Sequence, residues 1–346
     1  MKALVKLEVG EGKVSIKDVD EPQITREDEV KIKVKAAGIC GTDVEILHGK
    51  DALFRPPVIM GHEFTGEVVD VGDRLKKLKV GDRVVFEPTV SICGECRYCR
   101  SGRYNLCSNR LIAGFNSPGG FSEYAVRRQR YVHKLPDKVS YIAGALCEPL
   151  AVCTHAVLEL TPIYPGDIAA VIGPGTIGLL SLQLAKASGA CPIVIGKNKD
   201  EVRLDLAKRL GAEYVVNIDG EKETLSGIIK DLTEGCGIDV VIGCCGAPAS
   251  FSLGIDILRK GGHYTQIGLF TREVPFPIDK MSYHELTLQG SFGQKNSAWK
   301  RALSLLGKGL VDTLPLVTTL PMSKWEEGFK MAETKQAIKV VLEPGE

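Results

Sequence analysis

Cysteines 93, 96, 99 and 107 follow one another as Cys-x2-Cys-x2-Cys-x7-Cys. Zinc takes thiolate sulfur at roughly 2.3 Å in a tetrahedral shell, and cysteines this close can fold back on one ion through a tight turn. Cys93, Cys96, Cys99 and Cys107 would then close a four-sulfur site with no position left for water or substrate, which is a structural zinc. A disulfide framework and an iron–sulfur cluster are the alternatives. The chain has no secretory features to support the first, and no Pro follows the last Cys as in a common cluster motif. Between Glu87 and Pro118 there is little periodic apolar sequence, so bound metal would supply order that a core does not.

A second set is dispersed. Cys40 lies in Gly38-Ile-Cys-Gly-Thr-Asp43, His62 and Glu63 in Gly61-His-Glu-Phe-Thr-Gly66, and Glu148 in Cys147-Glu-Pro-Leu150. One sulfur, one imidazole nitrogen and carboxylate oxygens suit a zinc that keeps an open position for substrate. Each residue also has a plainer role: a small core Cys, a hydrogen-bonded His, a carboxylate in the first turn of a helix. Spacing does not choose between these.

The elements that would position these groups change character near residue 155. Before it, alternating runs such as Val30-Lys-Ile-Lys-Val-Lys and Gly81-Asp-Arg-Val-Val-Phe, broken by Gly and Pro, predict antiparallel strands in a mainly β domain. After it, short buried runs at 168–172, 192–195, 214–216, 238–243, 263–268 and 285–290 alternate with helical patterns such as 176–188 and 201–210. Six strands so interleaved predict an α/β fold with a doubly wound parallel (Rossmann) sheet. Residues 156–292 are assigned to that domain. Residues 1–155 form the other, with 87–118 as a metal-stapled lobe and 293–346 returning to it through the strand-like Ile338-Lys-Val-Val-Leu-Glu.

Composition bounds the function. The 346 residues are 44% hydrophobic and 25% charged, ordinary globular usage. A net charge of +1 speaks against a nucleic-acid surface. No run approaches 18 apolar residues, so no membrane span is expected, and Met1-Lys-Ala-Leu-Val-Lys does not resemble a signal peptide. Of the eleven cysteines, Cys147, Cys153, Cys191, Cys236, Cys244 and Cys245 sit in apolar or helical contexts, as reduced thiols of a cytoplasmic protein would.

Gly173-Pro-Gly-Thr-Ile-Gly178 falls between the first strand of the sheet and a long helix. Gly173 would allow the tight turn, Gly175 the approach of a pyrophosphate, and Gly178 close helix–strand packing, with Thr176 and Ile177 opening a helix whose N–H groups face the phosphates. The acidic residue that should close the second strand and accept the adenosine ribose hydroxyls is missing. Gly196, Lys197, Asn198 and Lys199 stand there, with Arg203 one turn on. A small residue followed by cations makes room for a 2′-phosphate and neutralises it, favouring NADP over NAD. The alternative is that Lys197 and Lys199 are solvated loop charges. Gly268 and Leu269, where the strand from His263 ends, complete the cofactor assignment.

These segments together resemble the zinc-dependent medium-chain dehydrogenase/reductase family. Gly61-His-Glu-x2-Gly66-x5-Gly72 is similar to its zinc signature, Cys40-Gly-Thr-Asp to its first catalytic ligand segment, and the four clustered cysteines to its structural-zinc lobe. The likeness runs along essentially the whole chain, and Glu148 within Glu-Pro-Leu resembles the polyol (sorbitol/L-iditol-like) and threonine dehydrogenase branch. The resemblance implies a GroES-like catalytic domain and two zinc ions per subunit.

By that resemblance Cys40, His62 and Glu148 would hold the catalytic zinc, Glu148 directly or through water, with Glu63 approaching as ligands exchange. Lewis acidity there would lower the pKa of a substrate hydroxyl, and hydride would pass to C4 of the nicotinamide. Thr42 would relay the proton, unless it only caps its turn. Relatives often carry a His five residues after the metal Cys, where this chain has Glu45, so Glu45 or His48 would substitute. At Phe292-Gly-Gln-Lys295 animal-type sorbitol dehydrogenases carry an Arg-Tyr pair that contacts polyol, which Gly293 and Gln294 cannot reproduce. The expected function is an NAD(P)-dependent polyol or sugar-alcohol dehydrogenase acting on a small-molecule alcohol as a homotetramer or homodimer. L-threonine or a simpler secondary alcohol is the alternative substrate, and a non-enzymatic zinc- and nucleotide-binding protein the alternative class.

Overall fold

The computed structural model describes residues 1–50 and 53–345. Their contacts gather into two compact units, one of Met1–Glu148, Leu303–Lys308 and Thr313–Glu346, the other of Pro149–Ala302 and Gly309–Asp312. The divisions fall inside the helices Cys147–Thr154 and Asn296–Gly307, where the sequence pattern placed them at 155 and 293. A hydrophobic period changes only between elements, whereas packing can sort the turns of one helix differently.

In the first unit the alternation at Val30 becomes the strand Glu29–Gly38, with Val30, Ile32 and Val34 buried and Lys33 exposed. It pairs antiparallel with Glu63–Val71, Tyr124–Arg128 and Lys339–Glu343. That register sets Gly38 opposite Glu63 on one side and opposite Val341 on the other. Within this sheet Lys339–Glu343 lies between Glu29–Gly38 and Val317–Pro321. The unit is not wholly antiparallel: Val317–Pro321 and Lys339–Glu343 run parallel, joined by the helix Trp325–Glu333. That helix is amphipathic and buries Phe329 to 2% exposure, which a hairpin between the two strands would not do.

The second unit holds a six-stranded parallel sheet in the order Tyr214–Asn217, Cys191–Gly196, Ile168–Ile172, Ile238–Gly243, Leu258–Gln266, Thr287–Gly290. Its core is aliphatic, built on residues such as Ile172, Ile193, Ile195, Val216, Val241 and Ile255. The last strand begins two positions later than the sequence pattern suggested, because Glu285 has φ 51° and turns the chain. The first strand leads outward to one edge and the fourth returns to its other side, so the switch point lies between Ile168–Ile172 and Ile238–Gly243. In open α/β sheets that crevice is where a dinucleotide binds. Among the described residues no helix is long and apolar enough to cross a membrane.

Candidate active site

Cys40 is the extended N-cap of the helix Gly41–Leu47, and its N–H donates to Asp43 Oδ2 at 2.8 Å, which fixes the turn carrying the sulfur. His62 and Glu63 lie where the strand Glu63–Val71 begins. One ligand atom each from Cys40, His62 and Glu63 lie within 4.8 Å of one another. His62 is 6% and Glu63 1% exposed, and the imidazole packs edge-on against Phe115 with ring centroids 5.2 Å apart. Asp43 is fully buried, with Oδ1 3.7 Å from His62 Nδ1, and neither atom has a hydrogen-bond partner. Burial alone would lower the imidazole pKa, but the charges of Asp43 and Cys40 outweigh it and hold it well above the ordinary value. A half-buried sulfur beside a buried nitrogen and carboxylate, with surplus negative potential, fits a divalent cation. Asp43 then stands where an outer carboxylate orients a metal-binding His.

Two residues of this site escaped the sequence reading. Asp43 was visible only as the end of Cys-Gly-Thr-Asp. Lys339, with its side chain 4% exposed, forms an ion pair with Glu63. Burial would depress its pKa, but the charges of Glu63, Cys40 and Glu148 raise it above the usual lysine value. A Cβ on Gly38 would collide with the Glu63 carboxylate, so glycine there makes room for the pair. No local pattern announces Lys339, because it arrives by strand pairing from the far end of the chain.

The other expected site residues are distributed less tightly. Glu148, in the first turn of Cys147–Thr154, is 7% exposed and near enough for its charge to act on Lys339 and Arg110, yet it is outside the converging set of Cys40, His62 and Glu63. Thr42 Oγ1 lies 3.8 Å from Cys40 Sγ. Glu45 is half-buried on the same helix. His48, its C-cap, is held between carboxylates, with Nε2 2.8 Å from Glu333 and Nδ1 3.3 Å from Glu11. The structure thus engages His48 with two acids rather than bringing it into the cluster.

In the lobe the sulfur of Cys93 lies 3.8 Å from that of Cys99 and 3.6 Å from that of Cys107. Disulfide sulfurs would be about 2 Å apart. Tetrahedral bonds of roughly 2.3 Å to one ion place sulfurs about 3.8 Å apart. The N–H groups of Cys96 and Glu95 lower the Cys93 thiol to about 6. Burial, then hydrogen bonds with the neighbouring thiols, raises Cys99 to about 12. Four sulfurs this close cannot all ionise without a cation between them, so the set fits a metal. Cys96→Ala is expected to lower the melting temperature by roughly 10 °C and remove one metal per chain. It should leave turnover at 25 °C nearly intact, as a thermal scan with metal analysis and an activity assay would read.

At the dinucleotide turn Gly173 has φ 99°, and a Cβ on Gly178 would collide with the Gly173 carbonyl. Thr176 and Ile177 open the helix Thr176–Ala187, capped by extended Gly175. Arg203 Nη1 comes within 3.9 Å of where a Gly175 Cβ would stand, so its guanidinium reaches the turn. Lys197 turns instead toward Asp219, Nζ to Oδ1 3.4 Å, and the Asn198 N–H donates to Asp219 Oδ2 at 3.2 Å. Lys199 is exposed and Gly196 buried. An acid from beyond the third strand thus engages both residues that follow the second, where a search along the second strand could not find it. Gly268 is half-buried and Leu269 is 69% exposed at the end of the fifth strand.

Two family models match the chain: alcohol dehydrogenase GroES-like domain over residues 26–137 and zinc-binding dehydrogenase over residues 176–308. The chain is 42% identical to sorbitol dehydrogenase of Halalkalibacterium halodurans over 99% of each. It is 38% identical to D-arabitol-phosphate dehydrogenase of Enterococcus avium, covering 99% of this chain and 97% of that one. A solved zinc-binding dehydrogenase of Sinorhizobium meliloti bound to NADP superposes with a TM-score of 0.89 at 30% identity, covering 99% of both chains. With a converging Cys–His–Glu cluster in one unit and a glycine turn at the switch point of the other, the chain belongs to the zinc-dependent medium-chain dehydrogenase family, in its polyol and threonine dehydrogenase branch.

Proposed function

We propose that the protein is a two-zinc dehydrogenase that moves hydride between a secondary alcohol, a polyol or sugar alcohol, and NADP in preference to NAD, giving the ketone. The convergence of a half-buried Cys40 with buried His62 and Glu63 carries this reading. Zinc held there supplies Lewis acidity to the substrate hydroxyl. Glu148 joins the ligand set directly or through water, and Asp43 orients His62. Thr42 takes the hydroxyl proton toward solvent, and the four lobe cysteines hold the second zinc. Arg203 at the glycine turn and the lack of an acid from Gly196 to Lys199 support NADP, against which Asp219 competes for Lys197. Assembly into a homotetramer or homodimer would use the open edge of Thr287–Gly290, which ends the parallel sheet. A reduced cytoplasmic setting suits the eleven free cysteines.

A second reading keeps the chemistry and changes the substrate to L-threonine or a simple secondary alcohol. Gly293 and Gln294, in place of a polyol-contacting Arg-Tyr pair, favour it. Initial rates of reduced-nicotinamide appearance with polyols, polyol phosphates, simple secondary alcohols and L-threonine, each with NAD and NADP, decide between them. Turnover of a polyol at least tenfold above L-threonine, faster with NADP, is expected. L-threonine as the best substrate would move the assignment to the second reading. No turnover with any pair, in protein holding two zincs, would overturn both.

A further inference from the structure

We infer that Gln266 is a positioning residue for the nicotinamide half of the bound dinucleotide, an inference that rests on the dehydrogenase reading above. Gln266 ends the fifth strand of the parallel sheet, Leu258–Gln266, beside the end of the fourth, Ile238–Gly243. Its Nε2 donates to the carbonyl of Gly268 and, at 3.3 Å, to that of Cys245. Its Oε1 lies 2.7 Å from the Tyr264 hydroxyl. These contacts admit one assignment. Two carbonyl oxygens can face only the NH2 of an amide, so Oε1 faces Tyr264 and the phenol donates. Tyr264 is 1% exposed, with Phe251 edge-on at 5.2 Å, so the donor cannot swing to water.

The surroundings are built for this pair. A Cβ on Gly243 would collide with both the Tyr264 hydroxyl and the Gln266 amide. The Gly243 carbonyl accepts from the N–H of Ile267 at 2.9 Å and of Gly268 at 3.1 Å. A Cβ on Gly268 would lie 2.8 Å from the Cys245 backbone, and one on Gly246 would collide with the Leu269 carbonyl. Segments 243–246 and 268–269 therefore run backbone against backbone, and the Gln266 amide bridges them. A pyrophosphate over Gly173–Gly178, with adenosine toward the second strand, sends the nicotinamide across the switch point to this edge. Pinning both carbonyls holds the edge in one shape before the ligand arrives, which lowers the cost of binding.

The test compares reduced dinucleotide with ADP-ribose and its 2′-phosphate, which lack nicotinamide, on the zinc-loaded protein and on Gln266→Met, Tyr264→Phe and the double variant. Gln266→Met is expected to weaken reduced-dinucleotide binding roughly tenfold and raise its KM, with ADP-ribose affinity unchanged within about twofold. Tyr264→Phe should fall between, and the double variant should match Gln266→Met because both act through one amide. An equal loss of ADP-ribose affinity, or no change with either ligand, would overturn the inference. If the parent protein binds neither ligand, the dehydrogenase reading fails first and takes this inference with it.

Discussion

Cys40→Ala and His62→Ala are each expected to lower turnover by at least about a thousandfold, because acidifying a neutral hydroxyl is worth several kcal/mol of barrier and each 1.36 is tenfold. Both variants should fold and bind dinucleotide normally. Cys40 anchors its helix through the backbone N–H to Asp43, which the alanine variant keeps. His62 leaves Nδ1 without a hydrogen bond, so its removal breaks none there. The glycine turn belongs to the other compact unit. Steady-state turnover beside a dinucleotide titration separates the two effects. Near-normal turnover in Cys40→Ala would remove the sulfur from the reaction.

The second large effect lies at Lys339. Lys339→Met is expected to destabilise the fold by about 3–5 kcal/mol, the usual cost of leaving one partner of a buried ion pair uncompensated. Lys339 and Glu63 have side chains 4% and 1% exposed, so water cannot replace the lost partner. Glu63 would then be free to swing toward the metal, so turnover should change as well. Lys339→Arg keeps the charge and should recover most of the stability, with some loss from packing a larger head beside Gly38. Urea unfolding of the three proteins measures this. A midpoint unmoved in Lys339→Met would mean that Glu63 is compensated elsewhere.

Local spacing made the four-cysteine lobe legible, whereas the dispersed set around Cys40 was legible only through the family resemblance. The four lobe cysteines lie within one short stretch, and their sulfurs converge in the fold. Cys40, His62 and Glu63 sit in turn-flanked motifs, and those motifs meet because Gly38 and Glu63 are opposed in one strand pair. Ile168–Ile172 was readable because turns bound a fully buried run. What pairing alone decides stayed hidden. Lys339 reaches Glu63 from the last strand, and Asp219 reaches Lys197 and Asn198 from beyond the third. The direction of pairing at the tail, where Val317–Pro321 and Lys339–Glu343 run parallel, was not readable because alternation reports burial and not direction. Glu148 carried the branch assignment as part of Glu-Pro-Leu, yet its place outside the converging set depends on where a helix begins, which a motif does not encode.

The most direct test of the two-centre account is zinc per chain, measured side by side in the parent protein and Cys40→Ala. Two zincs falling to one, with turnover lost and the melting temperature little changed, is the predicted result. A parent that holds a single zinc, unaltered by Cys40→Ala, would contradict it and leave the cysteine lobe as the one metal site.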